Sequence, residues 1–297
     1  MKVLVTGGAG FIGSHLTERL LSEGYEVVVI DNLSSGSKEN LEAVLDHPKF
    51  SLQVIDIRDK ERLFPHFKGV DWVFHLAALT EVVGSLEQPD LYLDVNVQGT
   101  LRILEAAKAN GVKKLIFTGS AAIYGTPSHF PTKETTKISC LSPYAITKYF
   151  GEELVLHWEN LYDLPSISLR LFNVYGPRAK ISGAYASVIA KFMLQKKEKK
   201  PLTIVGDGTQ TRDFVHVSDV AEAYYRAAKN DVSGVSINVG SGEEISINEL
   251  AKLFDHEISY IPSRSGEAER SLADTTKIHN MLNWKPKILI KNGLFNL

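Results

Sequence analysis

Tyr144 and Lys148 stand four residues apart in PYAITKYF, and Ser120 lies upstream in TGSAAIYG. On a helix that spacing puts a phenol and an ammonium on one face. A phenol with an ordinary pKa near 10 is a poor base at neutral pH, and a neighbouring ammonium favours the phenolate. The residue types therefore predict a proton-transfer pair: Tyr144 takes or gives the proton, Lys148 lowers the phenol's pKa, and Ser120 holds a substrate oxygen. Tyr-x-x-x-Lys also arises by chance in long helices. The trio gains meaning only from the elements that position it.

Those elements alternate. Nearly continuous apolar runs at 2–6, 25–31, 50–56, 71–77, 113–120 and 166–173 read as strands buried on both faces. Helical patterns separate them at 13–24, 93–111 and 144–162, with Pro143 at a helix entry and Gly111 past a helix end. This order predicts an α/β fold built on a doubly wound parallel sheet. Ser120 then ends the fifth strand, at the same sheet edge as Tyr144.

The first strand runs into GGAGFIG, where Gly8, Gly10 and Gly13 satisfy G-x-G-x-x-G and Gly7, Gly10 and Gly13 recur every third residue. Glycines at a strand–loop–helix junction, with Phe11 and Ile12 opening the helix, allow a tight turn against a pyrophosphate. The helix N-terminus offers free N–H groups and a positive dipole end. Asp31 ends the second strand about 20 residues on, where a carboxylate accepts from an adenosine ribose and repels a 2′-phosphate. Together these predict a Rossmann-type domain that prefers NAD to NADP, and Lys148 is placed to reach the cofactor ribose. Asp56 and Ile57 would flank the adenine, while Leu76, Ala77 and Ala78 would leave room for ribose and nicotinamide. The texture becomes irregular after Asn173. The expected division is a dinucleotide-binding domain over 1–172 and a smaller C-terminal lobe over 173–297, with part of about 209–238 returning to the first domain.

The segments TGGAGFIGSHL, VIDNLSSG, FHLAA, NVQGT, TGSAAIYG, PYAITK, LRLFNVYGPR and GDGTQTRDFVHVSDVAEA together resemble the extended short-chain dehydrogenase/reductases, specifically the NAD-dependent epimerase/dehydratase family acting on nucleotide sugars. The resemblance spans nearly the whole chain. It adds Asn32, Ser35 and Gly36 to the cofactor contacts, places Asn96 in support of the lysine and nicotinamide ribose, and sets Thr118 near the nicotinamide. Family dehydratases carry Asp-Glu after the serine and decarboxylases a Glu; here Ala121-Ala122 follow. The resemblance thus implies a UDP-sugar 4-epimerase, with a UDP-glucuronate epimerase or a non-catalytic NAD sensor as alternatives. Arg212 and Arg264 match the diphosphate-binding arginines, guanidinium forks being suited to phosphate. Asn173 matches a sugar-diphosphate contact, and Val188, Thr203, Val205 and Asn238 match positions around base and ribose. Ser271 matches a position that, when small, leaves room for an N-acetyl group. Leu171 departs from the family's frequent Tyr in R-Y-x-N.

Composition narrows the rest. Lys+Arg total 33 against 35 Asp+Glu, a net charge of −2 that gives no reason to expect nucleic acid or an anionic membrane. The run KKEKK at 196–200 reads as a solvated helix end. The lone Cys140 cannot form an internal disulfide and fits a reducing, cytoplasmic setting. No apolar stretch approaches a membrane span, the scattered histidines suggest no metal site, and His75 reads as a packed strand-end residue. In the family, helices matching 93–110 and 144–162 pair across a two-fold axis as a four-helix bundle. Leu101, Leu104, Leu154 and Leu156 are the apolar positions expected to remain for such a homodimer.

Overall fold

Seven strands form one parallel sheet in the order Val235–Val239, Ser166–Leu171, Lys114–Ser120, Trp72–His75, Lys2–Thr6, Glu26–Asp31 and Phe50–Val54. The computed structural model describes residues 1–180, 187–263 and 268–295. The doubly wound sheet expected from the apolar runs is therefore present. Its central strands bury both faces: Val3, Leu4, Val5, Val27, Val29 and Ile30 are all inaccessible to solvent. Fully burying such side chains stabilises by roughly 1.5–3 kcal/mol each.

The strand order reverses between Trp72–His75 and Lys2–Thr6. Chains leaving these strands diverge, so a crevice opens beyond their C-terminal ends. Helices Phe11–Ser22 and Val217–Lys229 pack together on one face. Gly99–Ala109 and Pro143–Tyr162 cover the other.

The long helix Pro143–Tyr162 begins as its sequence suggests. Ser142 Oγ accepts from the Ala145 N–H at 3.2 Å, and Pro143 needs no donor in the first turn. Gly151 lets the helix approach the sheet, because a Cβ there would lie 2.9 Å from the Phe117 ring. The pattern at 93–111 is not one regular helix. Pro89–Leu93 runs into a π-helical turn, Asp94–Gln98, and then into Gly99–Ala109. The wide turn is used: it carries Asn96 inward.

After Leu171 the chain builds the smaller lobe from short pairings. Asn173–Tyr175 pairs with Phe214–His216, Leu202–Val205 with Ile258–Ile261, and Thr211–Arg212 with Ile245–Ser246. Helix Val217–Lys229 and strand Val235–Val239 then belong to the large sheet and its helix layer. Helix Val188–Lys197 ends inside KKEKK, whose residues are exposed.

One expectation on the helix surfaces needs correction. Leu104 is fully buried and not available to a partner, while Leu101, Leu154 and Leu156 are half-buried. Exposed apolar side chains on the long helix are Ile146, Phe150, Leu161 and Tyr162, and Val82, Val83 and Leu86 are exposed on helix Val82–Glu87. Helical periodicity had identified the helices but not which face the sheet occupies. Among the described residues no helix is long and apolar enough to cross a membrane.

Candidate functional site

A cavity of about 680 Å³ occupies the crevice at the strand-order reversal. At one end lie Gly7, Gly10, Phe11, Ile12 and Gly13 with Asp31, Asn32, Ser35, Asp56 and Ile57; at the other lie Thr118, Ser120 and Tyr144. Leu76, Ala77 and Ala78 line the stretch between them. The glycine loop fits closely. A Cβ on Gly7 (φ +69°) would sit 2.7 Å from the Ala77 nitrogen, and one on Gly13 would overlap the Gly7 carbonyl oxygen at 2.1 Å. The loop is thus a tight bare-backbone cradle at a helix N-terminus, which suits a pyrophosphate.

Asp31 holds this cradle as well as facing the cavity. Its carboxylate accepts from the Ala9 N–H at 3.0 Å and the Leu33 N–H at 2.8 Å. Burial pushes its pKa up, and those two donors oppose the shift. Gly36 abuts the same carboxylate, since a Cβ there would lie 3.0 Å from it. Asn32 donates to Asp56 at 3.0 Å. Arg58, not anticipated from the sequence, also lines this end. Its guanidinium bridges Asp56 at 2.8 Å and Asp94 at 2.6 Å, holding the Asp56 carboxyl down to about 2. Arg58 follows Asp56-Ile57 directly, but nothing local shows that Asp94 completes the bridge.

At the other end the Ser120 and Tyr144 side chains both line the cavity, and the Ser120 hydroxyl favours the ionised form of the phenol. Ser120 Oγ accepts from the Ala122 N–H at 3.2 Å. The expected lowering of the phenol's pKa by Lys148 is not found. Burial raises it and outweighs the opposing effect of the Ser120 hydroxyl. Lys148 does not line the cavity; it lies beneath, almost fully buried, its Nζ 4.4 Å from the centre of the Phe117 ring. Burial lowers the ammonium to about 7, so it carries only part of its charge at neutral pH, while Glu152 one turn on opposes the loss.

Asn96 also lies beneath the cavity. Its side chain accepts from the Leu79 N–H at 2.8 Å and donates to the Leu79 carbonyl and the Thr147 hydroxyl, each at 3.0 Å. Thr147 in turn donates to the Tyr144 carbonyl at 2.9 Å. Asn96 therefore ties the cavity wall to the helix that carries the phenol.

His75 completes this layer and its tautomer follows from its partners. Thr100 donates its hydrogen to the Asn96 carbonyl at 2.6 Å, so it accepts from His75 Nε2–H at 2.9 Å. Thr6 accepts from the Leu76 and Ala77 N–H groups and donates to His75 Nδ1 at 2.7 Å. Burial, then the nearby Lys148 charge, holds this imidazole down to about 3, against 6.5 when unfolded. The depressed native value means that the unfolded chain binds the proton first. The contribution is complete above pH 6.5 and is lost as pH falls from 6.5 toward 3, at about 1.4 kcal/mol per unit. His75→Gln is expected to flatten the pH dependence of stability by that slope in urea unfolding between pH 6.5 and 4.5. Parallel slopes for the two proteins would contradict the assignment.

The residues expected to meet the substrate's nucleotide and sugar, Asn173, Val188, Thr203, Val205, Arg212, Asn238 and Ser271, lie outside the lining of this cavity. Asn173 donates to the Asp213 carbonyl at 3.1 Å and reaches Ser271 Oγ at 3.5 Å. Arg212 is half-buried and donates to the Thr211 carbonyl at 2.8 Å. Thr203 is held by the Gln195 side chain, and Val188 and Val205 are half-buried. Arg264 lies outside the described residues. Asn238 is a correction: it is fully buried, accepting from the Tyr124 hydroxyl at 2.7 Å and donating to the Thr132 carbonyl at 2.9 Å. Its amide is engaged inside the protein and presents no surface to a base or ribose. Among the described residues no group of three or more His, Cys, Asp or Glu is placed to hold a metal ion.

Residues 3–240 match the family model described as NAD dependent epimerase/dehydratase family. UDP-glucose 4-epimerase of Mycolicibacterium smegmatis is 40% identical, over 99% of this chain and 96% of that one. Among solved structures, UDP-N-acetylglucosamine 4-epimerase of Methanobrevibacter ruminantium, in complex with UDP-N-acetylmuramic acid, superposes with a TM-score of 0.95 at 36% identity. It covers 99% of this chain and 96% of its own. UDP-glucose 4-epimerase of Thermotoga maritima with UDP-glucose gives a TM-score of 0.94 at 38% identity, covering 100% and 97%.

Proposed function

Because the chain belongs to the NAD dependent epimerase/dehydratase family, we propose that it is a UDP-sugar 4-epimerase inverting C4 of UDP-hexoses through a 4-keto sugar. The observation that carries this reading is the cavity itself. Ser120 and Tyr144 sit at one end of a dinucleotide cradle, and Ala121-Ala122 supply no further acid or base beside them. NAD, when bound, supplies the hydride acceptor and donor. Ser120 orients the sugar oxygen, and Tyr144 takes its proton on oxidation and returns it on reduction. Asp31 binds the adenosine ribose, the glycine loop the pyrophosphate, and Lys148 with Asn96 supports the nicotinamide ribose. Inversion requires the keto sugar to present its other face while the diphosphate stays held, and Arg212 and Arg264 are assigned to that clamp. Incubation with UDP-glucose, UDP-GlcNAc and UDP-glucuronate, with products identified by NMR, tests the reading. Turnover of UDP-glucuronate alone would replace the substrate, and no turnover would leave an NAD-binding sensor.

Ser271 bears on substrate size. Its small side chain stands near Asn173, where a larger one would crowd an acetamido group. Ser271→Tyr is expected to abolish conversion of UDP-GlcNAc while sparing UDP-glucose. Equal loss on both sugars, or no loss on either, would remove Ser271 from this role.

A homodimer is part of the same proposal. Phe150 is 46% exposed and Leu86 61%, on helices that pack against each other. An isologous helix-to-helix contact would cover both. Phe150→Glu is expected to leave a 32.9 kDa species by light scattering, half the mass of the parent. A parent that is already monomeric would refute the dimer. A cytoplasmic location also belongs to this reading, and the single half-buried thiol of Cys140 fits reducing conditions.

A further inference from the structure

Thr118 lines the reacting end of the cavity, two residues before Ser120 on the same strand. Behind it, on helix Val217–Lys229, stands Tyr224, with no exposed surface. The Tyr224 hydroxyl and Thr118 Oγ1 are 2.5 Å apart. Among the described residues Thr118 is the only hydrogen-bond partner recorded for this phenol. The direction of the bond follows. If Thr118 were the donor, the Tyr224 hydrogen would be buried without an acceptor, which costs about 1–3 kcal/mol. Tyr224 therefore donates, Thr118 accepts, and the threonine's own hydrogen is left for the cavity it lines. Burial raises the pKa of this phenol, so it keeps the hydrogen it donates at neutral pH.

Resting on the dinucleotide reading above, we infer that Tyr224 is a positioning residue for the nicotinamide end, committing the Thr118 hydroxyl to donate to the carboxamide oxygen of the ring. The rest of the wall gives a physical reason. Leu76, Ala77 and Ala78 offer mostly carbon surface to a flat ring and do not by themselves select its orientation. A donor fixed from behind selects it, because the carboxamide lies on one edge of the ring. Neither Tyr224 nor its role is visible from the strand-end motif, since the partner comes 106 residues later in the chain.

The test uses purified holoprotein and reads the rate of NAD release, without any sugar present. Tyr224→Phe keeps the ring and removes only the donor, and is expected to speed NAD release about three- to tenfold, the worth of one hydrogen bond. Thr118→Val should do the same, Thr118→Ser should restore the parent rate, and the double variant should release NAD no faster than Thr118→Val. With UDP-sugar as substrate, turnover should fall in Tyr224→Phe while KM for the sugar stays unchanged. Parent-like NAD release in Tyr224→Phe, full additivity in the double variant, or an effect confined to sugar KM would each overturn the assignment. Should Tyr224→Phe fail to fold, the contrast between Thr118→Val and Thr118→Ser decides alone. Absence of sugar turnover in the parent protein would count against the proposed activity and leave the NAD-release result to judge Tyr224.

Discussion

Tyr144→Phe is expected to lower UDP-sugar turnover by about 10²–10⁴, the usual contribution of a positioned acid or base. The ring remains, so the helix packing and the contact with the cavity are preserved. What is lost is the Tyr144 hydroxyl, on a side chain that lines the cavity together with Ser120. Burial raises the phenol's pKa and the Ser120 hydroxyl opposes the shift. Binding of NAD and of the UDP-sugar should change little, placing the loss in kcat and not in KM. Turnover within a few-fold of the parent would remove Tyr144 from the proton-transfer role.

Arg170→Leu is expected to produce the largest loss of stability, about 3–5 kcal/mol, by leaving a charge unpaired in the interior. Glu152 has a side chain only 1% exposed and receives a fork from Arg170, Nη2 to Oε1 at 2.6 Å and Nε to Oε2 at 3.0 Å. Ser168 donates to the same carboxylate at 2.6 Å. Arg170 also donates to the Tyr124 hydroxyl at 2.8 Å and to the Glu134 carbonyl at 3.1 Å. The arginine therefore connects the helix of Tyr144 and Lys148 to the loop that approaches Asn238. Replacing both partners, Glu152→Leu with Arg170→Leu, should recover much of the loss, because no uncompensated charge remains. Urea unfolding measures both. A cost below about 1 kcal/mol for the single change would mean that water reaches Glu152.

What could be read from the sequence was what secondary structure alone fixes. A glycine loop between a strand and a helix, a carboxylate ending the next strand, and a Tyr–Lys pair one turn apart depend on local geometry. The cavity accordingly gathers Gly7, Gly10, Gly13, Asp31, Ser120 and Tyr144. The unread features depend on which side chains distant segments bring together. Asp94 closes on Arg58, and Tyr224 reaches Thr118, across separations that no short motif records. Asn238 pointed the wrong way for the same reason: it lies one residue before the end of its strand, and Tyr124 and Thr132 draw its amide into the core. Lys148 shows a further limit. Spacing placed it beside Tyr144, yet its charge is governed by burial, which only the packed helix and sheet determine.

The most direct measurement follows deuterium placed at C4 of a UDP-hexose through complete turnover, read by proton NMR in ordinary water. With bound NAD supplying the hydride acceptor and donor, the expected result is inverted product with the deuterium still at C4. Inversion accompanied by loss of the label to solvent would indicate removal and return of a proton at C4, and would contradict the hydride mechanism assigned to this cavity.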